Sequence, residues 1–121
     1  SARQRAQAVR WLSFVNSDVH PAFTPLFAPG KFHPDQAEHA TVQDAARTRL
    51  RGLYEAADRQ LAGRDWLAGF RSVADPYLYV TLRWASRLGI DLSGLDNVNA
   101  FKSRMDADPG VRAALEAEGL A

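Results

Sequence analysis

Leu61-Ala-Gly-Arg-Asp-Trp-Leu-Ala-Gly-Phe-Arg-Ser-Val-Ala-Asp75 runs directly into an apolar stretch, Tyr77 to Leu88, and the junction reads as the start of a buried helix. Ser72 and Asp75 have the S-x-x-D spacing of a reciprocal cap. The serine hydroxyl accepts the N–H of the third helical residue, and an acid at that position reaches back to the serine's own N–H. An aspartate there also suits the positive end of the helix dipole. Pro76, at the fourth helical position, removes the first intrahelical hydrogen bond, so a reinforced cap is the more useful. At about 100° per residue, Val73, Tyr77, Val80, Trp84 and Leu88 form one apolar stripe, and Ala74, Leu78, Thr81, Leu82 and Ala85 form a second beside it. Only Tyr79, Arg83, Ser86 and Arg87 remain to face water or another polar surface. A helix apolar over more than half its circumference has neighbours on several sides. It is expected at the centre of the fold, with Ser72 and Asp75 as a structural cap and not a serine–acid reaction centre.

The flanking segments carry the helical period too. Ala2 to Val19 reads as a helix with Ala8, Trp11, Leu12, Val15 and Val19 inward. Pro21, Pro25, Pro29 and Gly30 then bend and end it, with a further helical turn at Ala22 to Phe27. Lys31 to Ala40 contains Pro34 and two histidines, shows no period, and reads as a connection. Thr41, with Asp44 three residues on, is the expected cap of a long helix whose stripe is Val42, Ala46, Leu50, Leu53, Ala57 and Leu61. Gly63 to Gly69 turns the chain. Gly89 stops the central helix, Ile90 to Asp96 forms a loop with an apolar plug, and Asn97 to Ala107 is a helix burying Val98, Phe101 and Met105. Asp108-Pro109 is a cap followed by proline at the first helical position, opening a short last helix with Leu115 inward. There is no β-alternation, repeat or low-complexity segment. The expected fold is all-α, one domain over residues 1–121, a bundle of about five helices around the central one.

A chain of 121 residues suits one domain with a real core. With 46% hydrophobic and 24% charged residues it is globular in composition. A net charge of +1 supplies no field that would draw nucleic acid or a membrane surface, and neither is expected as a partner. Thirteen of the fifteen basic residues are arginine, but they are interleaved with acids and read as solvated helix faces. The absence of cysteine removes disulfides, thiolate metal sites and a cysteine nucleophile within the chain. No apolar run approaches the roughly 18 residues of a membrane span, and no signal-like start is present, so a cytoplasmic location is expected.

Leu67-Ala-Gly-Phe-Arg-Ser-Val-Ala-Asp-Pro-Tyr-Leu-Tyr79, Arg83-Trp84-Ala85 and Gly89-Ile-Asp-Leu92 together resemble the C-terminal helical domain of cytosolic glutathione S-transferases, the bacterial beta class most of all. Val111-Arg-Ala-Ala-Leu-Glu-Ala-Glu-Gly-Leu120 is similar to the end of that class, and Trp11-Leu-Ser-Phe-Val-Asn-Ser-Asp-Val-His20 to the start of its domain. The likeness runs in one order along the chain.

Ser13, Ser17 and His20, spaced i, i+4, i+7, share a face opposite the apolar stripe of the first helix and span about 10 Å. By spacing alone they line a ligand cleft or are simply the wet face of an amphipathic helix. The resemblance implies the former. It places His20 where the family has a histidine near the sulfur of glutathione, and an imidazole titrating at about 6.5 is suited to accept or donate a proton there. It also places Ser13 and Asp18 where the family reaches the glutathione of the neighbouring subunit, and so implies a homodimer. Two positions depart from the family: Ser13 stands for the usual asparagine, and Pro21 for the usual lysine. Trp84 is a core residue by periodicity, and by resemblance it lies near the electrophile. Phe23, Leu26 and Phe27 offer either the apolar wall such a substrate needs or a packing face. His33 and His39 flank a loop at a separation unlike a metal site, and no metal is expected. Glu55 and Arg59 are expected to form a surface ion pair.

The family's enzymes carry a thioredoxin-like N-terminal domain that holds glutathione. Nothing in this sequence resembles it, so the chain is read as the C-terminal piece of a transferase, with Ser1 as an added residue, in preference to a stand-alone domain. The resemblance then implies conjugation of glutathione, as co-substrate, to electrophilic small molecules. This piece would supply the electrophile pocket and part of the dimer interface, and alone it would bind no cofactor and be inactive. The other reading is a non-catalytic protein-interaction module of the same fold.

Overall fold

A computed structural model describes all of residues 1–121. The chain folds into helices alone: α1 (Ala2–Phe14), a π-helical turn (Val15–Val19), α2 (His20–Ala22), α3 (Thr24–Phe27), 3-10 turns at Pro29–Lys31 and Gln36–Glu38, α4 (His39–Gln60), α5 (Ala74–Arg87), α6 (Asp96–Ala107) and α7 (Pro109–Ala117). Five of these, α1, α4, α5, α6 and α7, run nine residues or more, which is the expected all-α bundle. No helix is long and apolar enough to cross a membrane.

The central helix is α5, which packs against α1 and α6. Its second predicted stripe, Ala74, Leu78, Thr81, Leu82 and Ala85, is fully buried. The first stripe is not: Val73 is exposed, and Tyr77, Val80, Trp84 and Leu88 are half-buried. This apolar edge is the one that bears on the site. Of the two surfaces expected for Tyr79, water or another polar surface, it meets the second, and it is buried. Its hydroxyl donates to Asp106 on α6 at 2.5 Å. A phenol covers its ring and keeps its polar tip at an edge, so polarity alone is a poor reason to rank it with Arg83 and Ser86.

Helix α5 begins at Ala74 with Val73, not Ser72, at the cap position, so the predicted cap closes one residue ahead of it and in a modified form. The Ser72 N–H donates to Asp75 Oδ2 at 2.8 Å, as expected, but the Ser72 hydroxyl accepts from Ala74 N–H at 3.2 Å in place of Asp75 N–H. Asp75 Oδ1 then accepts the Leu67 N–H at 2.9 Å. The carboxylate therefore ties the preceding loop to α5 as well as starting the helix. At the other end Gly89 takes a φ of +74°, and the Ile90 N–H reaches back to the Ala85 carbonyl at 3.1 Å. That left-handed turn is where glycine is favoured.

Several contacts between elements differ from the sequence expectation. Helix α4 begins at His39, so Thr41 lies within it and is not its cap; α4 has no side-chain cap, and Asp35 caps the preceding 3-10 turn by accepting the Ala37 N–H at 3.0 Å. His33 and His39 close the same loop, His39 Nε2 lying 2.8 Å from the His33 carbonyl. Glu55 pairs with Arg51 at 3.1 Å and not with Arg59. The arginines are more than wet faces. Arg47 donates to the Leu88 carbonyl at 3.0 Å, and Arg51 donates to the Asp91 and Ser93 carbonyls at 2.9 and 2.7 Å. A planar fork with several donors satisfies carbonyls at a helix end and loop that lysine would reach less well. Helix α6 starts at Asp96 without a side-chain cap of its own; Asp58 on α4 accepts the Val98 N–H at 2.9 Å instead. Val98, Phe101 and Met105 are buried as expected, and Asp108 caps α7 through the Val111 N–H at 3.0 Å. Leu115 is only half-buried.

Tyr54 on α4 lies outside the stripe that periodicity picks out, yet it is fully buried. Its hydroxyl donates to Thr81 Oγ1 at 3.0 Å, and the Thr81 hydroxyl in turn donates to the Leu78 carbonyl at 2.7 Å. Burial raises the Tyr54 pKa far above the ordinary phenol range, with the Thr81 bond opposing. Tyr54→Phe should cost about 1 kcal/mol, because the Thr81 donor stays satisfied and a single bond is lost. A shift in urea midpoint of more than about three times that would mean that repacking dominates.

Candidate functional site

The first helix does not continue uniformly to His20. Its hydrogen-bond ladder widens over Val15–Val19 into a π-helical turn before α2 begins. Such a turn takes up an extra residue and recurs at functional sites. Val15 and Val19 are both buried, and the helical register after the turn is rotated from that before it. The single face expected for Ser13, Ser17 and His20 requires uninterrupted α-helix, and the π turn breaks that register between Ser13 and His20. All three remain exposed, as does Asp18. Pro21, in the first turn of α2, sits where a missing N–H is tolerated.

The rotation aims His20 at α5. His20 Nδ1 lies 2.5 Å from the Tyr77 hydroxyl, and that hydroxyl donates to Asn16 Oδ1 at 3.0 Å. The imidazole meets the Tyr77 ring edge-on, centroids 5.7 Å apart, and tilts against Trp84 at 4.9 Å. Trp84 also packs edge-on against Phe23 at 5.4 Å and Phe27 at 5.6 Å, and Phe23 and Phe27 stack at 5.8 Å. The predicted residues His20, Phe23, Phe27 and Trp84 thus form one aromatic cluster. Within it Phe23 is fully buried and forms the floor, Trp84 is half-buried, and Phe27 is 55% exposed. Leu26 is buried as packing.

Ser13, Ser17 and Asp18 lie off this cluster, on the exposed side of α1 and the π turn. Tyr77 and Asn16 belong to the site, although the sequence marks Tyr77 only as part of a stripe and gives Asn16 no role of its own within Trp11–His20. Helical spacing could not have paired Asn16 with His20, because the π turn between them breaks the α-helical register. The partner, Tyr77, is 57 residues from His20, beyond any local spacing.

A separate groove of about 470 Å³ runs between Pro21, Ala22 and Pro25 on one side and Val42, Ala46 and Arg49 of α4 on the other. It is mostly apolar and offers no general base. No group of three or more His, Cys, Asp or Glu side chains comes together in a way that could hold a metal.

These parts set the chemistry open to the cluster. A flat apolar surface with an aromatic edge accepts a planar or apolar molecule. An imidazole anchored at one nitrogen presents the other to solvent for proton transfer.

Comparison with known proteins bears on the same segment. Residues 11–109 match the family described as "Glutathione S-transferase, C-terminal domain". A glutathione S-transferase of Xanthomonas campestris pv. campestris is 51% identical over 99% of this chain, which covers 59% of that protein. The structure of a glutathione S-transferase from Xylella fastidiosa superposes with a TM-score of 0.92 at 54% identity, over 97% of this chain and 57% of that one. A sphingomonad glutathione S-transferase solved in complex with glutathione gives a TM-score of 0.81 at 40% identity, over 98% of this chain and 56% of that one. The chain therefore spans a little over half the length of the relatives it matches.

Proposed function

The chain belongs to the glutathione S-transferase family through its C-terminal domain, and from that premise we propose that it is the helical half of a cytoplasmic enzyme that conjugates glutathione to electrophilic small molecules. A thioredoxin-like N-terminal domain, in this reading, grips the tripeptide and addresses its thiol. The helical domain supplies the wall for the electrophile and a proton acceptor beside the sulfur. The observation that carries the reading is the cluster of His20 with Trp84, Phe23 and Phe27, one imidazole set at the edge of a partly open aromatic surface.

The roles divide by chemistry. Trp84 and Phe27 contact the apolar body of the electrophile, and Phe23 holds Trp84 from below. His20 takes the thiol proton: the S–H bond breaks, an N–H bond forms on the imidazole, and the sulfur keeps the electron pair with which it attacks the electrophilic carbon. Ser13 and Asp18, exposed on α1 and the π turn, reach the glutathione of the second subunit in a homodimer, with Ser17 between them. Serine at position 13 reaches less far than asparagine, and Pro21 brings no charge to the anionic tripeptide. Binding of glutathione therefore leans more on the N-terminal domain.

The test compares the complete protein with the 121-residue chain, using glutathione and a chloronitrobenzene. The complete protein should conjugate, and the helical chain alone should stay at the uncatalysed rate. Conjugation by the chain alone would overturn the division of labour. A complete protein that fails to conjugate any electrophile would favour the interaction-module reading. Within the active protein, Trp84→Ala should raise KM for the electrophile about tenfold and leave KM for glutathione unchanged, the signature of lost uniform binding at one subsite. Equal rises in both KM values would place Trp84 outside the electrophile wall.

A further inference from the structure

Resting on the reading of His20 as proton acceptor, we propose that Tyr77 and Asn16 are positioning residues that hold the neutral imidazole of His20 in its Nδ1–H form, leaving the Nε2 lone pair free to take a proton. The argument is a proton count. A phenol has one hydroxyl proton, and Tyr77 gives it to Asn16 Oδ1 at 3.0 Å. The same oxygen lies 2.5 Å from His20 Nδ1, so the proton in that contact has to come from the imidazole. A neutral imidazole carries one N–H. With that N–H at Nδ1, Nε2 is bare. In the opposite arrangement Tyr77 would donate to Nδ1, and the Asn16 amide would have to turn over to present its NH2 to the hydroxyl in place of Oδ1.

The fold brings the three groups together. Asn16 sits in the π turn and His20 directly after it, so one winding of the chain presents an acceptor and a ring to the same hydroxyl. Tyr77 comes from the half-buried edge of α5. The Trp84 ring, tilted against the imidazole at 4.9 Å, bears on it from the same helix. Nδ1 and Nε2 lie on opposite sides of the ring's Cε1, so anchoring Nδ1 on Tyr77 turns Nε2 away from α5. When Nε2 takes a proton the imidazolium keeps its Nδ1–H···Oη bond, and Tyr77 stabilises the charged ring without itself losing a proton. The logic is that of an orienting partner to a histidine base, here built from two neutral groups in place of a carboxylate.

The test is nitrogen-15 NMR of the histidine side chains in the 121-residue chain, in buffer alkaline enough to keep the rings neutral. His20 is assigned by its disappearance in His20→Gln. The expected result is a protonated, pyrrole-type Nδ1 and an unprotonated, pyridine-type Nε2. Tyr77→Phe keeps the ring packing and should return His20 to the solvent-like mixture in which the Nε2–H form predominates. Asn16→Asp keeps an acceptor for the hydroxyl and should preserve the Nδ1–H form. A merely structural Tyr77 would leave the tautomer unmoved. An Nδ1–H His20 in a protein whose conjugation rate survives His20→Ala would sink the reading of the site and leave the tautomer assignment standing. An Nε2–H His20 in the parent chain, or one unaltered by Tyr77→Phe, would overturn the positioning role, whatever His20 does in catalysis.

Discussion

Asp75→Ala should destabilise the domain by about 4 kcal/mol, measured as a shift in the urea midpoint at constant slope. The carboxylate is fully buried and each oxygen has its own backbone donor, Leu67 N–H at 2.9 Å and Ser72 N–H at 2.8 Å. Alanine leaves both N–H groups without a partner, at about 1–3 kcal/mol each, and the relief of not burying a carboxylate offsets part of that. Against a total stability of about 5–15 kcal/mol, the loss is a large share. Asp75→Asn should fall between wild type and alanine, because an amide presents one acceptor and one NH2 to two donors. Ser72→Ala should cost only about 1 kcal/mol, the ordinary value of a cap hydroxyl. If Ser72→Ala and Asp75→Ala prove equal, the residue acts as a cap alone and the tie to Leu67 carries nothing.

The pH dependence separates this carboxylate from others in the domain. Burial raises the Asp75 pKa, and the N–H groups of Leu67 and Ser72 only partly counter it. A folded pKa above the unfolded one means the native state binds the proton more readily, so the contribution of Asp75 to stability grows as pH falls through its folded value. The deficit of Asp75→Asn should therefore widen on mild acidification. Asp108, lowered by Arg71, and Asp91, lowered by Ser93, run the other way: their stabilisation is present above the unfolded pKa and is lost as pH falls through the folded one. As pH falls, Asp75 therefore takes up its proton before Asp91 and Asp108 take up theirs.

Local chemistry is what the sequence displays well. The Ser72–Asp75 spacing, Gly89 and Asp108-Pro109 each act within four residues, and each marks a helix boundary that the structure contains. Where a partner comes from another element, the reading fails for a physical reason. Asp58 caps α6 across 40 residues, Arg51 satisfies the Asp91 carbonyl across 40, and Tyr79 hides its ring by bonding Asp106 across 27. No window of sequence contains both members of such a pair. The site divides in the same way. His20, Trp84, Phe23 and Phe27 are legible by residue type and resemblance, while the π turn that aims His20 at Tyr77 is not. A π turn has no propensity signature in Val15-Asn-Ser-Asp-Val19; its buried pair Val15 and Val19 and the bonds of Asn16 and His20 to Tyr77 are contacts with other elements.

His20→Ala in the complete protein should lower kcat for conjugation about a hundredfold, within the range for removal of a positioned proton acceptor. The loss should stop short of the upper end of that range, because in the proposed enzyme the N-terminal domain still holds the sulfur. His20 is exposed but bonds Tyr77 and packs on Trp84, so its truncation should lower the stability measured by urea unfolding by no more than about 1 kcal/mol. That separates chemistry from folding. KM for glutathione should hold, since the proton is transferred on the way to the transition state and not in binding. The discriminating substitution is His20→Gln. Glutamine can donate its amide to the Tyr77 hydroxyl and pack against Trp84, but it cannot take a proton. If His20 acts as a base, Gln should be as slow as Ala. If it acts only by holding Tyr77 and Trp84 in place, Gln should restore most of the rate, and the mechanism would then have to find its proton acceptor outside the helical domain.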